Sequence, residues 1–281
     1  MRIAVLMTCY NRVETTLRCL RSLFAQMHAQ SPNPTISNQT IFEVWLVDDA
    51  SPDGTGAKVK AEFPQVNVIR GTGKLFWSRG MRLAWDTAAA AKDYDGYLWL
   101  NDDVELYPDA IATLLADAAQ VGDEAVLVGT THMRFGDEEL SYGPDSEHGL
   151  VRPNGSPQRV QGVMSGNFVY VPRKVFRAIG PIYGGYSHGY GDRDYALLTD
   201  RKGVPRYCCS KVVGVCPQQP ERYRHRLKHV SIRERFRVIL TPNGFSIRDN
   251  FIYKFRNFGF LRAVGSAVHI FWIRVVRGHE D

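Results

Sequence analysis

Short β-branched apolar runs alternate, through most of the chain, with longer stretches whose apolar residues recur every three or four positions. Runs at 2–7, 42–47, 66–69, 97–100, 125–129 and 168–171 have the length and composition of buried strands. Between the first two, Val13, Leu17, Leu20, Phe24 and Met27 line one face of a helix, and Ser31-Pro32-Asn33-Pro34 is expected to stop it. Further helices are expected at 57–63, after the glycine-punctuated loop 71–80, at 108–119, at 173–179 and from Asp192 to about Lys202. Strand and helix in regular alternation predict an α/β fold, a mostly parallel sheet flanked by helices. Residues 130–160 are polar, with scattered Gly, Pro and Asn, and predict hairpins off the sheet.

At 281 residues with 44% apolar and 23% charged positions, the chain reads as a soluble globular protein. Five cysteines without CxxC spacing argue for a reducing compartment and against a disulfide framework or zinc site; Cys208, Cys209 and Cys216 read as packing residues. The N-terminal apolar run is too short for a signal peptide or membrane span, so a cytoplasmic protein is expected. Charge changes the picture. Residues 221–281 hold 13 Lys+Arg against 5 Asp+Glu, whereas the rest hold 22 against 24. A basic, aromatic, mainly helical extension from 221 therefore follows a near-neutral domain of residues 1–220, with the boundary at Pro217-Gln218-Gln219-Pro220.

Candidate chemistry lies where strands end. Asp48/Asp49, Asp102/Asp103 and Asp192/Asp194 each follow a strand-like segment or open a helix. A single acidic pair at such a place is ordinary turn or cap chemistry. Three at one sheet edge repel one another unless a cation or an anion-binding hard metal joins them. Open α/β sheets bind ligands at that edge, so a divalent cation (Mg²⁺ or Mn²⁺) and a phosphate-bearing substrate are expected. The loop Gly71-Thr72-Gly73-Lys74 is neither a dinucleotide fingerprint nor a P-loop.

The motifs Ile3-Ala4-Val5-Leu6-Met7-Thr8-Cys9-Tyr10-Asn11-Arg12, Leu46-Val47-Asp48-Asp49-Ala50-Ser51-Pro52-Asp53-Gly54, Leu98-Trp99-Leu100-Asn101-Asp102-Asp103-Val104, Gly166-Asn167-Phe168 and Gly191-Asp192-Arg193-Asp194-Tyr195 occur in an order that resembles glycosyltransferase family 2, over residues 1–215. Within that family the sequence is most similar to rhamnosyltransferase-like enzymes of bacterial surface-polysaccharide synthesis. The resemblance implies a Rossmann-like GT-A fold and inverting, metal-dependent transfer from a UDP- or dTDP-sugar to a glycan or lipid-linked glycan. It implies nucleotide contacts for Thr8, Tyr10 and Asn11, a hydrogen bond from uracil or thymine N3–H to Asp49, metal ligation by Asp103, and Asp102 near ribose or metal waters. Asp192 matches the family's catalytic base, which would take the acceptor hydroxyl proton. Gly191 stands where Glu is common, so the base rests on register and Asp194 is the alternative; Asn101 likewise replaces the first acid of the DxD motif.

Trp77 and Arg79 are candidates for the donor's base or diphosphate, with core packing the other reading of Trp77. Gly166, Asn167, His188 and Asp194 are candidates for donor or acceptor sugar. The tail places Arg222, Arg224, Arg226, Lys228, Arg233, Arg235 and Arg237 before Phe251, Phe255, Phe258 and Phe260. It suits either an anionic membrane surface, with the enzyme peripheral at the inner face of the plasma membrane, or packing on the body or on a second subunit in a homodimer. The alternatives are a sugar nucleotidyltransferase, an inactive transferase fold, or a nucleic-acid-binding protein. The first lacks its glycine- and arginine-rich loop after strand one, and no nucleic-acid partner is expected.

Overall fold

The computed structural model describes residues 1–29, 40–218, 227–242 and 246–278. The helix stop expected at residues 31–34, the positions Arg222, Arg224 and Arg226, and Gln219-Pro220 of the expected boundary lie outside the described residues.

Strands β1 (Arg2–Cys9), β2 (Ile41–Asp48), β3 (Asn67–Arg70) and β4 (Gly96–Leu100) form a parallel block in the order β3-β2-β1-β4. Helices α1 (Val13–Ala29), α2 (Thr55–Glu62) and α3 (Phe76–Ala91) connect them. β5 (Glu105–Leu106) and α4 (Ala110–Val121) lead to β6 (Val126–His132). The polar stretch folds, as expected, into short strands: β7 (Leu140–Tyr142), the hairpin β8 (Asp145–Ser146) and β9 (Gly149–Leu150), and β10 (Gln158–Val160). β11 (Phe168–Pro172) then inserts antiparallel between β4 and β6, followed by α5 (Arg173–Ile179) and α6 (Gly191–Arg201). β12 (Arg206–Val215) lies parallel to β6 and pairs antiparallel with β5 and β10. The sheet is thus parallel in its first half and mixed in its second.

Period-two alternation sorts the strands' side chains onto two faces. Ile3, Val5, Met7, Leu98 and Leu100 meet Leu17, Leu20 and Phe24 of α1, Val59 of α2 and Ile111 of α4. Ala4, Leu6, Tyr97 and Trp99 meet Met81 and Trp85 of α3 and Tyr195 of α6. Both clusters are buried, and one aromatic side chain, Trp85, touches Tyr97, Trp99, Phe176 and Tyr195. β12 escapes the sequence pattern because its pairing with β6 shifts register twice, between Cys208 and Val212 and again before Gly214, which breaks the alternation. Its first residue, Arg206, is a buried arginine. It donates to the carbonyls of Ala196 and Gly162 and pairs with Asp200, and so closes the C-terminal end of α6.

The C-terminal extension holds α7 (Ile232–Leu240), α8 (Ile247–Phe258), α9 (Phe260–Ile270) and a π-helical continuation over Phe271–Arg277. Ser231 and Ser246 cap α7 and α8, accepting from the backbone N–H of Glu234 and Asp249 three residues on. α8 packs on the α/β body. Asp249 accepts from the Ser187 N–H at 2.7 Å and from its hydroxyl, Asn250 donates to Tyr190 Oη at 2.9 Å, and Tyr190 stacks on Tyr253.

Candidate active site

Four non-glycine residues among those described hold positive φ: Asn11 (54°), Ala50 (56°), Phe76 (57°) and Tyr190 (70°). Each sits in a loop at one edge of the sheet: after β1, after β2, at the start of α3 and just before α6. Such conformations cost energy in L residues and gather where a site dictates backbone shape. Asn11 is fixed by its N–H on Ser51 Oγ at 3.0 Å, which ties the first loop to the second. Tyr10 beside it stands 53% exposed on that edge.

Asp48 and Asp49 build the second loop. Asp48 accepts from the N–H groups of Ser51 and Gly56 and so supports α2. Asp49 is buried and accepts from Gly73 N at 2.7 Å, Leu75 N at 2.8 Å and Phe76 N at 3.1 Å. α3 has no side-chain cap of its own, and the Asp49 carboxylate supplies it. Asp49 therefore shapes the glycine loop, with three of about four lone-pair positions engaged. Arg79, also on that loop's helix, reaches back to the Lys74 carbonyl at 3.4 Å, and Thr8 packs directly beneath Gly80.

Asn101, Asp102 and Asp103 follow β4 as the sequence implies, and their neighbours distinguish them. Asp102 is buried, accepts from Arg12 Nη1 at 3.1 Å and Thr16 Oγ1 at 3.2 Å, and has a raised pKa. Burial is the chief cause, then the charge of Asp103, opposed by Arg12. Asp103 is more open. It accepts from the same guanidinium at 2.9 Å and from Cys216 Sγ at 3.4 Å. Arg12 is thus the internal counter-charge of the acidic pair, a role the motif alone does not announce. We expect Arg12→Leu to lower stability by about 2 kcal/mol, less than a fully buried pair would lose because a third of the arginine side chain is exposed. Thermal melts in EDTA check this, and an unchanged midpoint would contradict the role.

The remaining wall links this pair to α6. Asn101 Oδ1 accepts from Trp77 Nε1 at 2.7 Å, and Trp77 also meets Trp99 edge-on. The two readings of Trp77 therefore coincide: its ring closes the core while its edge forms the site wall. A Cβ on Gly166 would fall 2.4 Å from that ring and 3.5 Å from Asp192 Cβ, so glycine is required where the three meet. Asn167 donates to Cys216 Sγ at 3.3 Å, making a chain Asn167–Cys216–Asp103. Cys216 is buried and does pack, yet it also fixes the more open carboxylate.

Asp192 and Asp194, one turn-start apart, point to different surroundings. Asp192 is partly accessible and accepts from Gly166 N at 3.1 Å and from Arg193 N at 2.8 Å. Desolvation of its carboxylate by the surrounding walls raises its pKa, against the pull of those N–H groups and of Arg193. Asp194 is buried and accepts from Asn257 Nδ2 at 2.6 Å and Arg256 Nη2 at 3.5 Å, so it anchors α8. His188 stands edge-on to Phe76, its carbonyl held by Ser78 Oγ, and the walls around the ring and then the Arg12 charge lower its pKa.

Gly191 explains itself. A Cβ there would lie 2.7 Å from Ser78 Oγ, 2.9 Å from Ile182 Cδ1 and 3.2 Å from Trp77, leaving no room for the Glu common at this position. Gly191→Glu should cost about 1–3 kcal/mol as overpacking; a chemical denaturation midpoint equal to the parent's would refute the tight contact.

The model of Glycosyl transferase family 2 matches residues 4–180. The chain belongs to glycosyltransferase family 2. No curated protein sequence matches it. Among solved structures, the Pyrobaculum calidifontis mannosyltransferase PcManGT, in complex with GDP-Man and Mn²⁺, is 16% identical with a TM-score of 0.58, covering 99% of this chain and 76% of that one. S. aureus TarS 1-349 in complex with UDP-GlcNAc is 15% identical with a TM-score of 0.56, covering 99% and 84%. TarS 1-349 alone gives 15% and 0.53 over 95% and 72%. The transferase shares their fold, with its carboxylates at the strand ends.

Among the described residues of the transferase, no three His, Cys, Asp or Glu side chains are grouped to cage a metal. A hard cation held by one carboxylate, water and substrate phosphate needs no such cage, so the donor set around Asp103 fits it.

Proposed function

We propose that this transferase moves a sugar, with inversion, from a UDP- or dTDP-sugar to a hydroxyl of a glycan or lipid-linked glycan. The observation that carries the reading is the unbroken wall from Asp103 through Asn101, Trp77 and Gly166 to Asp192. One end offers a partly open carboxylate beside a counter-charge, and the other a partly open carboxylate with a raised pKa.

In this reading Tyr10 offers its exposed ring to the base and Asn11 lies beside the ribose. Asp49 keeps a lone pair for a uracil or thymine N3–H, which cytosine and adenine lack. Asp103 would hold the divalent cation, with Asp102 bearing on it through water and ribose. When bound, the cation offsets charge on the departing diphosphate. Arg79 and Trp77 line the diphosphate side, and Gly166 and Asn167 meet the sugar. Asp192 takes the proton of the acceptor hydroxyl as its oxygen attacks the anomeric carbon from the face opposite the diphosphate. His188 stands on the acceptor side. Asp194 works indirectly, by seating α8 behind the loop.

The structural neighbours named above were solved with GDP-Man and Mn²⁺ and with UDP-GlcNAc, which supports a nucleotide-sugar donor and a cation. The surface-polysaccharide role rests on the sequence resemblance, and the cytoplasmic location on the cysteine pattern and the short N-terminal apolar run. A donor screen tests the proposal. UDP-, dTDP-, GDP- and ADP-sugars are incubated with Mg²⁺ or Mn²⁺ and release of free nucleoside diphosphate is followed. Release confined to uridine or thymidine donors is the expected result; release only from purine donors would overturn the base assignment.

A further inference from the structure

The extension is exposed in a patterned way. On α9 and its π-helical continuation, Leu261, Val264, Val268, Trp272 and Val276 recur at intervals of three or four and face solvent, whereas Ala263, Ile270 and Val275 on the other side are buried. Leu261 is 85% exposed, Val268 63% and Trp272 52%. On α7, Ile232, Phe236 and Leu240 repeat every fourth residue and are exposed too. The ring of Phe236 meets that of Phe271 at 6.3 Å, edge-on, so the two stripes join into one apolar face. An amphipathic helix normally buries such a stripe, and a patch of this extent on a soluble protein marks a contact surface.

The charge around it selects the occupant. Residues 227–278 hold 10 Lys+Arg and only 2 Asp+Glu. Of those two acids, Asp249 is buried against Ser187 and Glu234 is paired with Arg237. Among the described residues no carboxylate pairs with the exposed Arg233, Arg262 or Arg277. A second copy seated symmetrically on this face would bring like charges together, which disfavours self-association. An anionic bilayer offers what both features lack: acyl chain for the stripe and negative headgroups for the arginines. None of these helices is long and apolar enough to cross a membrane, so they would lie on it.

We propose that the face formed by α7, α9 and the π-helical segment docks flat on an anionic lipid surface, with Leu261, Val268 and Trp272 entering the headgroup–acyl boundary and Arg233 and Arg262 at its rim. α8 lies behind that face and grips the loop carrying His188 through Asp249 on Ser187, and the first turn of α6, which carries Asp192, through Asn257 on Asp194. Docking would therefore hold the acceptor side of the site toward the bilayer. The surface itself is argued from the helices alone and stands or falls apart from the donor reading.

The test is co-sedimentation of the full chain with vesicles of phosphatidylcholine and with equimolar phosphatidylcholine–phosphatidylglycerol. The parent protein should pellet with the anionic vesicles, not the neutral ones, and release in high salt. The triple variant Leu261→Asp, Val268→Asp, Trp272→Asp should lose binding with an unchanged thermal melt, since all three side chains are exposed. Arg233→Glu with Arg262→Glu should weaken binding roughly tenfold or more. Absence of binding to anionic vesicles, or equal binding to neutral ones, overturns the proposal. So does a dimer in light scattering that the triple variant dissolves while neither protein binds lipid.

Discussion

Asp192→Asn is expected to reduce transfer by about 10²–10⁴-fold, the usual contribution of a positioned general base, while nucleotide affinity stays within twofold or so of the parent. The asparagine keeps the size and the acceptor oxygen that meet Gly166 N, so the wall stands and only the proton acceptor is lost. Asp194→Asn should behave differently. Its carboxylate is buried against Asn257 and Arg256, so the loss falls on stability, by about 1–3 kcal/mol. Steady-state kinetics beside melts of the two variants separate the roles; retained turnover in Asp192→Asn would remove it as base. pH adds a check with a definite sign. The base must be ionised to act, so activity is present above its pKa and lost below it. Because desolvation of its carboxylate raises the pKa of Asp192, the acid limb of kcat/KM should fall above the ordinary carboxylate value of about 4. A limb at or below that value would mean a different group titrates.

The second large effect is expected at Asp103. Asp103→Ala removes the more open carboxylate of the acidic pair, the group that under the proposed function would hold the cation beside the diphosphate. A loss of about 10²–10³-fold in kcat/KM follows from several kcal/mol of charge stabilisation. The diphosphate affinity of the variant should no longer respond to Mn²⁺. Asp102→Ala gives the contrast. That side chain is buried between Arg12 and Thr16, so its removal should disturb folding more than the metal response. Unchanged metal-dependent affinity in Asp103→Ala would sink its assignment as ligand.

The parallel half of the fold was legible because β1 and β4 are continuous buried apolar runs, β2 is a mainly apolar run with Val44, Leu46 and Val47 buried, and α1 shows one clear stripe. The strand–helix pace continued to β11 and α5, although nothing local reveals that β11 runs antiparallel: orientation is set by where the chain returns. β12 stayed hidden because Ser210 and Lys211 interrupt it and its register slips. For the site, the strand-end acids were visible as residue types, and their partners were not. That Asp49 caps α3, that Arg12 neutralises Asp102 and Asp103, and that Asp194 faces α8 are long-range facts, between residues some 24 to 91 positions apart. The Gly191 departure from the family pattern was legible as a difference; its cause, the crowding by Ser78, Ile182 and Trp77, required the fold. For the basic tail the sequence offers an anionic membrane surface or packing on the body; α8 packs on the body, while α7 and α9 turn apolar side chains outward.

The central claim is that the strand-end carboxylates form a nucleoside-diphosphate site. Calorimetric titration of UDP and dTDP, with Mn²⁺ and then with EDTA, against ADP and GDP, tests it most directly. Binding confined to the uridine or thymidine diphosphate and lost in EDTA is the result predicted here. No binding by any of the four, or equal binding by all with metal absent, would contradict the account.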